Sequence, residues 1–170
     1  QNLDTLGRQS IVIAATNHES LLDAAVWRRF TYRVALQLPS REQRTQMWKE
    51  FIAPITFSDR DLIVLADLSD GFSGSDIRET CARLKRRQFS SGKELLLSEA
   101  FMVLQNLSIS GENDRCFASS LTNKEPAEIV HLLRERDQRL YSLAMLAELL
   151  GLSKATVHRL TKKEGENNGD

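Results

Sequence analysis

The chain has 170 residues, of which 41% are hydrophobic and 27% are charged, and its 23 Lys and Arg balance 23 Asp and Glu. This composition is typical of one or two small globular domains and excludes a highly charged disordered chain, while the zero net charge does not indicate a class of partner. No apolar run approaches the roughly 18 residues that span a bilayer, and two cysteines are too few for a disulfide framework. These features predict a cytoplasmic protein that does not contact a membrane.

The first 39 residues contain two apolar segments that are typical of strands. Residues 11–15 form a continuous, partly β-branched run, as in a strand buried on both faces of a parallel sheet. Residues 32–38 place Tyr, Val, Leu and Leu at alternate positions and end before Pro39. A short helix is predicted between them, over about 21–28. Because two strands alone are marginal in water, we expect them to join a larger α/β sheet.

Residues 40–107 have the pattern of a small helical bundle. Capping boxes, in which a serine is followed three residues later by Gln or Asp, predict helices that begin after Ser40 and Ser58. A third helix is predicted from near Ser73 and a fourth over 95–107. Each has apolar residues at helical spacing, so we expect the four helices to bury a common core.

The remaining residues divide into three predicted segments. Residues 108–125 are rich in Ser, Asn and Asp and predict a linker, and 164–170 form a polar tail. Residues 126–163 fit a helix-turn-helix. Gly151 lies at its turn, where a positive φ costs least, and Ser153 is expected to cap the second helix.

The second helix of this motif is basic. From residue 131 to 163 there are seven Lys and Arg against three Asp and Glu. We expect Lys154, Thr156, His158 and Arg159 to be exposed and to contact DNA, because a basic recognition helix enters the major groove and neutralises phosphates. The alternative is a helical hairpin used for packing or oligomer contacts. No His or Cys lies near His158, so it is interpreted as a surface residue, and no metal site is predicted.

Two polar elements in the first 39 residues, a single asparagine and an arginine pair, suit phosphate chemistry. Asn17 directly follows the first predicted strand, and its amide suits the positioning of an attacking water beside a γ-phosphate. Arg28 and Arg29 precede Phe30, and their guanidinium groups suit stabilisation of a transferring phosphoryl group. The alternatives are a turn-forming asparagine and a solvated or salt-bridged arginine pair.

A third element, Gly-Phe-Ser-Gly-Ser-Asp over residues 71–76, lies at the start of a predicted helix. Gly74 and Ser75 have small side chains beside free backbone N–H groups. Such a segment permits close approach of a ribose or base and attracts anions. The alternative is an ordinary helix cap.

In order and spacing, together with the flanking segments 22–25 and 38–44, these elements resemble the second half of the ATPase module of the AAA clade of AAA+ proteins. The resemblance covers roughly residues 1–107. It implies that Asn17 is sensor 1, that Arg29 is the arginine finger with Arg28 beside it, and that Gly74 and Ser75 form the sensor-2 segment facing the nucleotide. The family usually separates its two arginines as Arg-Pro-Gly-Arg-Phe, so Arg29 matches more directly than Arg28. Residues 126–163 resemble the helix-turn-helix domains of bacterial DNA-binding proteins.

The resemblance implies an α/β fold class: an incomplete P-loop NTPase core that retains two strands (1–39), followed by an all-α lid (40–107) and the helix-turn-helix. It also implies ATP and Mg²⁺ as ligands, a hexameric ring and coupling to double-stranded DNA. The sequence contains no P-loop and no Walker-B motif, so the Mg²⁺ ligands are expected outside this chain, and the chain alone is predicted not to hydrolyse ATP. The alternative function is a non-hydrolysing regulatory module that senses nucleotide or binds DNA.

Overall fold

A computed structural model describes residues 11–16, 18, 22–106 and 116–163. Within these ranges the chain forms eight α-helices and one 3₁₀ helix and contains no strand. It divides into two compact units, residues 1–36 and 37–170. The described part of the first unit has one short helix, α1 (Ala24–Trp27).

The predicted α/β fold class is therefore wrong for the described residues. Both segments expected to be strands, 11–15 and 32–38, lack regular secondary structure. A strand takes its backbone hydrogen bonds from neighbouring strands, and apolar alternation alone cannot provide those partners. Their large side chains are exposed, from 41% for Val12 to 93% for Leu36. Apolar residues at alternate positions stabilise a strand only when another layer of the protein buries them, and the described residues provide no such layer for these segments.

The second unit begins with four helices, of which α4 is the longest at 18 residues. No helix in the described part of the chain is both long and apolar enough to cross a membrane. The four helices are α2 (Arg41–Ile52), α3 (Asp59–Leu68), α4 (Gly74–Ser91) and α5 (Leu97–Asn106).

Capping boxes begin three of these helices. The boxes predicted at Ser40 and Ser58 are confirmed, with the serine hydroxyl accepting a backbone N–H from the third residue of each helix. Ser73 caps α4 in the same way, because Asp76 donates its backbone N–H to the hydroxyl and accepts the Ser73 N–H at 2.8 Å. Each box satisfies two donors that the first helical turn leaves without intrahelical partners.

The second half of the unit begins inside the segment predicted to be a linker. Its described part, 116–125, contains the 3₁₀ helix (Phe117–Leu121), and Cys116, Ala118 and Leu121 are buried. Pro126 occupies the first turn of the next helix, where its missing N–H costs nothing. Three helices follow: α6 (Pro126–Arg136), α7 (Leu143–Leu150) and α8 (Lys154–Lys163).

One hydrophobic core runs through all of these helices. It includes Trp48 from α2, Leu65 from α3, Leu104 from α5, Leu133 from α6 and Val157 from α8, each fully buried. Helix α5 packs against α7, and α6 packs against α8. The helices predicted as a lid and those predicted as a helix-turn-helix therefore share a single core within the second unit.

Candidate nucleotide-sensing and nucleic-acid interfaces

The two candidate arginines follow the single turn of α1. Asp23 caps this helix by accepting a backbone N–H from its first turn at 2.9 Å. The backbone N–H groups of Arg28 and Arg29 donate to the carbonyls of Ala24 and Val26 at 3.2 and 3.1 Å, which closes the turn. Both arginines are exposed. The short helix thus presents two guanidinium groups at the surface of the first unit.

A third arginine, which was not among the sequence predictions, also makes contacts within this unit. Arg33 donates from Nη2 to the carbonyl oxygen of Trp27 at 3.2 Å, and its guanidinium lies 5.0 Å from the centroid of the Trp27 ring. A separation of six residues in irregular chain has no periodicity that would indicate such a cation–π pair. Asn17 lies outside the described residues, so its role as sensor 1 stays a prediction, as do the roles of Arg28 and Arg29.

Gly74 and Ser75 are the first two residues of α4, as predicted for the third element. Ser75 is exposed and Gly74 is half-buried. The carboxylate of Asp76 already lies at this helix end, where it accepts from both the N–H and the hydroxyl of Ser73 at 2.8 and 2.7 Å. A negative charge there offsets the positive end of the helix dipole. This end is therefore better suited to a neutral ribose or base than to a phosphate.

The packing around Gly74 does not by itself require a glycine at this position. A Cβ built on Gly74 would meet the Sδ and Cε atoms of Met47 at 3.6 Å, an ordinary van der Waals distance. The protein itself therefore tolerates alanine at this position, and a requirement for glycine would have to come from a bound ligand. Gly71 differs, because its φ of 96° lies in a region that other residues rarely adopt.

The predicted helix-turn-helix geometry is confirmed. Helix α7 ends at Gly151, which has a φ of 64° and donates its N–H back to α7. Ser142 caps α7, and Ser153 caps α8 by accepting the N–H of Thr156 at 3.1 Å. The Thr156 hydroxyl lies 2.8 Å from the Ser153 hydroxyl, so it is already engaged in the cap.

The four predicted DNA-contacting residues do not have equal access to a partner. Lys154, His158 and Arg159 are exposed, whereas Thr156 is half-buried beside the fully buried Val157. None of these three exposed residues forms a salt bridge within the described part of the chain, so their side chains are available to an anionic partner. In the same ranges, no group of three or more His, Cys, Asp or Glu is arranged to hold a metal ion.

A buried carboxylate lies at the centre of the second unit. Asp67, in α3, is only 4% exposed. Its Oδ2 atom accepts from Arg136 Nε at 2.9 Å and from the Tyr141 hydroxyl at 2.8 Å. Its Oδ1 atom lies 3.8 Å from Arg41 Nη1. These contacts join α3 of the predicted lid to α6 and to the segment that leads into α7.

A second carboxylate extends this network. Asp70 pairs with Arg136 Nη2 at 2.8 Å and with Arg44 Nη2 at 2.9 Å. Arg44 is only 5% exposed and also donates to the carbonyls of Ala66 and Pro39 at 2.8 and 2.7 Å. Because a buried charge is tolerated only when it is paired and hydrogen-bonded, this geometry accounts for the charges in the core. The network, hereafter the Asp67 cluster, comprises Arg41, Arg44, Asp67, Asp70, Arg136, Asp137 and Tyr141.

The pKa values in the Asp67 cluster follow its geometry. Burial, reinforced by the neighbouring Asp67 carboxylate, raises the pKa of Tyr141, so its hydroxyl remains a donor. Burial alone would raise the pKa of Asp70, but hydrogen bonds and charges from Arg136 and Arg44 hold it below its usual value. The backbone N–H of Leu140 lowers the pKa of Asp137. A single Asp inside the apolar run of 62–68 was the sequence signal for this cluster, since such a residue requires a partner.

Comparison with known proteins places this geometry in context. The chain is 41% identical over 73 residues to fidgetin-like protein 1 of Drosophila melanogaster. The matched stretch covers 42% of this chain and 14% of that protein. It is 42% identical over 71 residues to spastin of Gallus gallus, covering 39% of this chain and 11% of that protein. It is 29% identical over 133 residues to the ATP-dependent zinc metalloprotease FtsH of Parabacteroides distasonis, covering 75% of this chain and 19% of that protein.

The chain has partial homology to AAA-clade ATPases. The resemblance to the AAA clade is thereby confirmed. In addition, the family model of the IclR helix-turn-helix domain matches residues 127–163, which contain α7, α8 and all of α6 except its first residue. The chain spans less than a fifth of the length of the three AAA relatives described above. No solved structure matches it.

Proposed function

We propose that this chain is part of a longer, ring-forming AAA-family ATPase whose helical lid is coupled to double-stranded DNA through the helix-turn-helix. The Asp67 cluster is the observation that carries this proposal, because it joins the lid helix α3 to the helix-turn-helix through Arg136 and Tyr141. ATP and Mg²⁺ are the expected ligands of the whole protein, with the Mg²⁺ ligands outside this chain.

In this proposal the nucleotide is sensed at three places. Asn17 positions the attacking water within its own subunit. Arg29, with Arg28 beside it, reaches the γ-phosphate held by a neighbouring subunit. The exposure of both arginines is consistent with a contact to another chain. Gly74 and Ser75 face the ribose or base, because Asp76 makes this helix end unfavourable for a phosphate.

The connection between α3 and α4 carries the nucleotide state to the helix-turn-helix. Phe72 is buried and donates its N–H to the Ser69 carbonyl at 3.0 Å, so the turn before Gly74 is fixed to the end of α3. The carbonyl of Asp70 in the same turn accepts from the N–H of Phe117 at 2.9 Å. A displacement of Gly74 would therefore move the Asp67 cluster directly. The lid and helix-turn-helix respond as one body in this scheme.

At the DNA end, the exposed residues Lys154, His158 and Arg159 make the contacts with the duplex. Thr156 has a different role, because its hydroxyl and backbone N–H both engage the Ser153 cap. It fixes the start of the recognition helix. Lys and Arg contacts to phosphates supply affinity, and they make that affinity fall steeply with salt.

Binding of the complete 170-residue chain to a fluorescein-labelled duplex, followed by anisotropy over a range of salt concentrations, tests the DNA part. Arg159→Ala should weaken binding and reduce the slope of log K against log salt by about one. Arg83→Ala is the matched control, because Arg83 is an exposed arginine on α4 that pairs with Glu79. A flat titration of the unsubstituted chain at low salt would remove DNA from the proposal.

The ATPase part is tested in the longer protein that includes the sequence encoded upstream of this chain. A P-loop followed by an apolar strand ending in Asp-Glu is expected there. Mixed rings of an Arg29→Ala subunit and a P-loop lysine variant should recover phosphate release that neither variant has alone, because the arginine acts across the subunit boundary. Absence of the upstream P-loop would refute ATP hydrolysis and favour the non-hydrolysing regulatory module.

A further inference from the structure

The far end of α4 forms an open groove of about 860 Å³ that none of the functions above uses. One wall is the last turns of α4, and the other is formed by the turn after α2 and the chain that follows α4. It lies about 20 Å along α4 from Gly74, given a rise of about 1.5 Å per residue. Its main lining residues are Pro54, Ile55, Lys85, Arg86, Phe89 and Lys93.

The groove is fixed by the backbone on both sides. Gly92, with a φ of 64°, ends α4 and donates its N–H to the carbonyl of Gln88 at 2.9 Å. This reversal brings Lys93 to the wall of the groove. On the other side, Lys85 Nζ donates to the carbonyl of Ala53 at 3.2 Å, which ties α4 to the turn after α2.

The charge of the groove is positive. Lys85, Arg86 and Lys93 line it, against the single carboxylate of Glu94. Among the described residues, neither Arg86 nor Lys93 has a carboxylate within salt-bridge distance. Cations that lack a carboxylate partner favour an anionic ligand, and they attract it from a distance.

Phe89 supplies the apolar part of the groove and is 91% exposed. On the opposite face of the same helix, Leu84 is fully buried. Helix α4 therefore buries apolar side chains on its core face, and the exposure of Phe89 is an exception. An aromatic ring exposed beside Pro54 and Ile55 marks a contact surface, since aromatic residues provide much of the binding energy in interfaces.

The groove also contains one carboxylate. Glu94 lines it beside the three cations. A nucleic acid carries a phosphate at every nucleotide, and Glu94 would repel these phosphates. A peptide carries its carboxylates only at particular residues, so they can pair with the cations and avoid Glu94. The carboxylate of Glu94 therefore favours a peptide over a nucleic acid.

We propose that this groove binds an extended acidic peptide segment of a partner protein. Its carboxylates pair with Arg86 and Lys93, and an apolar side chain packs on Phe89 and Ile55. The inference does not depend on nucleotide or DNA binding. It assigns the chain a protein partner that is recognised by negative charge and one apolar anchor.

Fluorescence anisotropy of the 170-residue chain with a fluorescein-labelled peptide of alternating Glu and Leu tests the proposal. We expect saturable binding that weakens with salt. Phe89→Ala should weaken it about tenfold, as expected for loss of an aromatic anchor. Met102→Ala, which removes another exposed apolar side chain on α5, should leave the affinity within twofold. The double variant Arg86→Glu, Lys93→Glu should abolish binding.

Three results would overturn the proposal. One is the absence of binding to the Glu–Leu peptide at low salt, or equal binding of a Lys–Leu peptide. Another is binding of a single-stranded oligonucleotide that is lost in Phe89→Ala while peptide binding is unchanged, which would make the groove a nucleic-acid site. The last is concentration-dependent dimerisation, measured by light scattering, that Phe89→Ala abolishes.

Discussion

The hydroxyl of Tyr141 donates a 2.8 Å hydrogen bond to Oδ2 of Asp67, although 74 residues separate them in sequence. Tyr141 is fully buried just before the first helix of the helix-turn-helix, and Asp67 is buried in α3, the second helix of the lid. The bond, with the Arg136 pair beside it, satisfies a carboxylate that the core would otherwise leave charged and unpartnered. It also fixes the helix-turn-helix to the lid.

Replacing Tyr141 by phenylalanine should therefore destabilise the second unit. The change retains the ring but leaves one lone pair of the buried Asp67 carboxylate without a donor, at a cost of about 1–3 kcal/mol. The free energy of unfolding in urea, followed by circular dichroism, measures it. Tyr32→Phe is the control, because Tyr32 is 88% exposed and its substitution should have no effect. Equal stability of both variants would contradict the importance of this bond.

Asp70 makes the stability of the second unit depend on pH in the acid range. Its pKa in the folded chain is lower than its ordinary value of 3.8, because the pairing with Arg136 and Arg44 outweighs burial. The stabilisation is therefore complete above the unfolded pKa and is lost as the pH falls through the folded pKa.

Urea unfolding at several pH values tests this for Asp70→Asn. The variant should be less stable than the parent near pH 6, and the difference should shrink as the pH falls below about 4. Two parallel curves from pH 6 to pH 2 would show that the pairing of Asp70 contributes no pH-dependent stability.

Two glycines should respond in opposite ways to alanine. Gly151→Ala should destabilise the chain by about 1–2 kcal/mol, because a residue with a Cβ is strained at its positive φ, even though the space around it is open. Gly74→Ala should leave the free energy of unfolding unchanged or slightly increased, because its Cβ meets Met47 only at van der Waals distance. Thermal unfolding measures both. A large loss of stability in Gly74→Ala would contradict the geometry at the start of α4.

The common core predicts that the lid and the helix-turn-helix unfold together. With Trp27→Phe, Trp48 becomes the only tryptophan of the chain and reports on the lid, where it is fully buried and donates to the Ser69 hydroxyl at 2.9 Å. Circular dichroism reports on all helices. The two signals should give the same midpoint in urea, as in a two-state transition. A separate, earlier transition in circular dichroism would mean that the helix-turn-helix unfolds independently.

Local signals in the sequence predicted the helices well. The capping boxes at Ser40 and Ser58, the turn at Gly151 and the cap at Ser153 all involve residues within about four positions of each other. Such contacts join neighbouring residues of one segment, so the residue types and their spacing were sufficient to indicate them. The same holds for the exposed basic face of α8, which follows from helical periodicity.

The strands failed for the opposite reason. The alternation of residues 32–38 shows which side chains could face a core, but it does not show which segment would pair with them. The hydrogen bonds of a strand must come from such a segment. The described residues provide none, and the segment lacks regular secondary structure. Similarly, no local pattern could show that Asp67 would meet Arg136 and Tyr141, some 70 residues away.

The sequence by itself determined where several helices of the second unit begin, and it determined the resemblance to AAA-clade ATPases, since both depend on short motifs and their spacing. Only the tertiary structure decided that the lid and the helix-turn-helix share one core. It also decided that Asp67 is the buried link between them and that Phe89 and Gln88 line a basic groove. Those features depend on which distant side chains share the same water-free space, and burial is a property of the packed chain rather than of any segment.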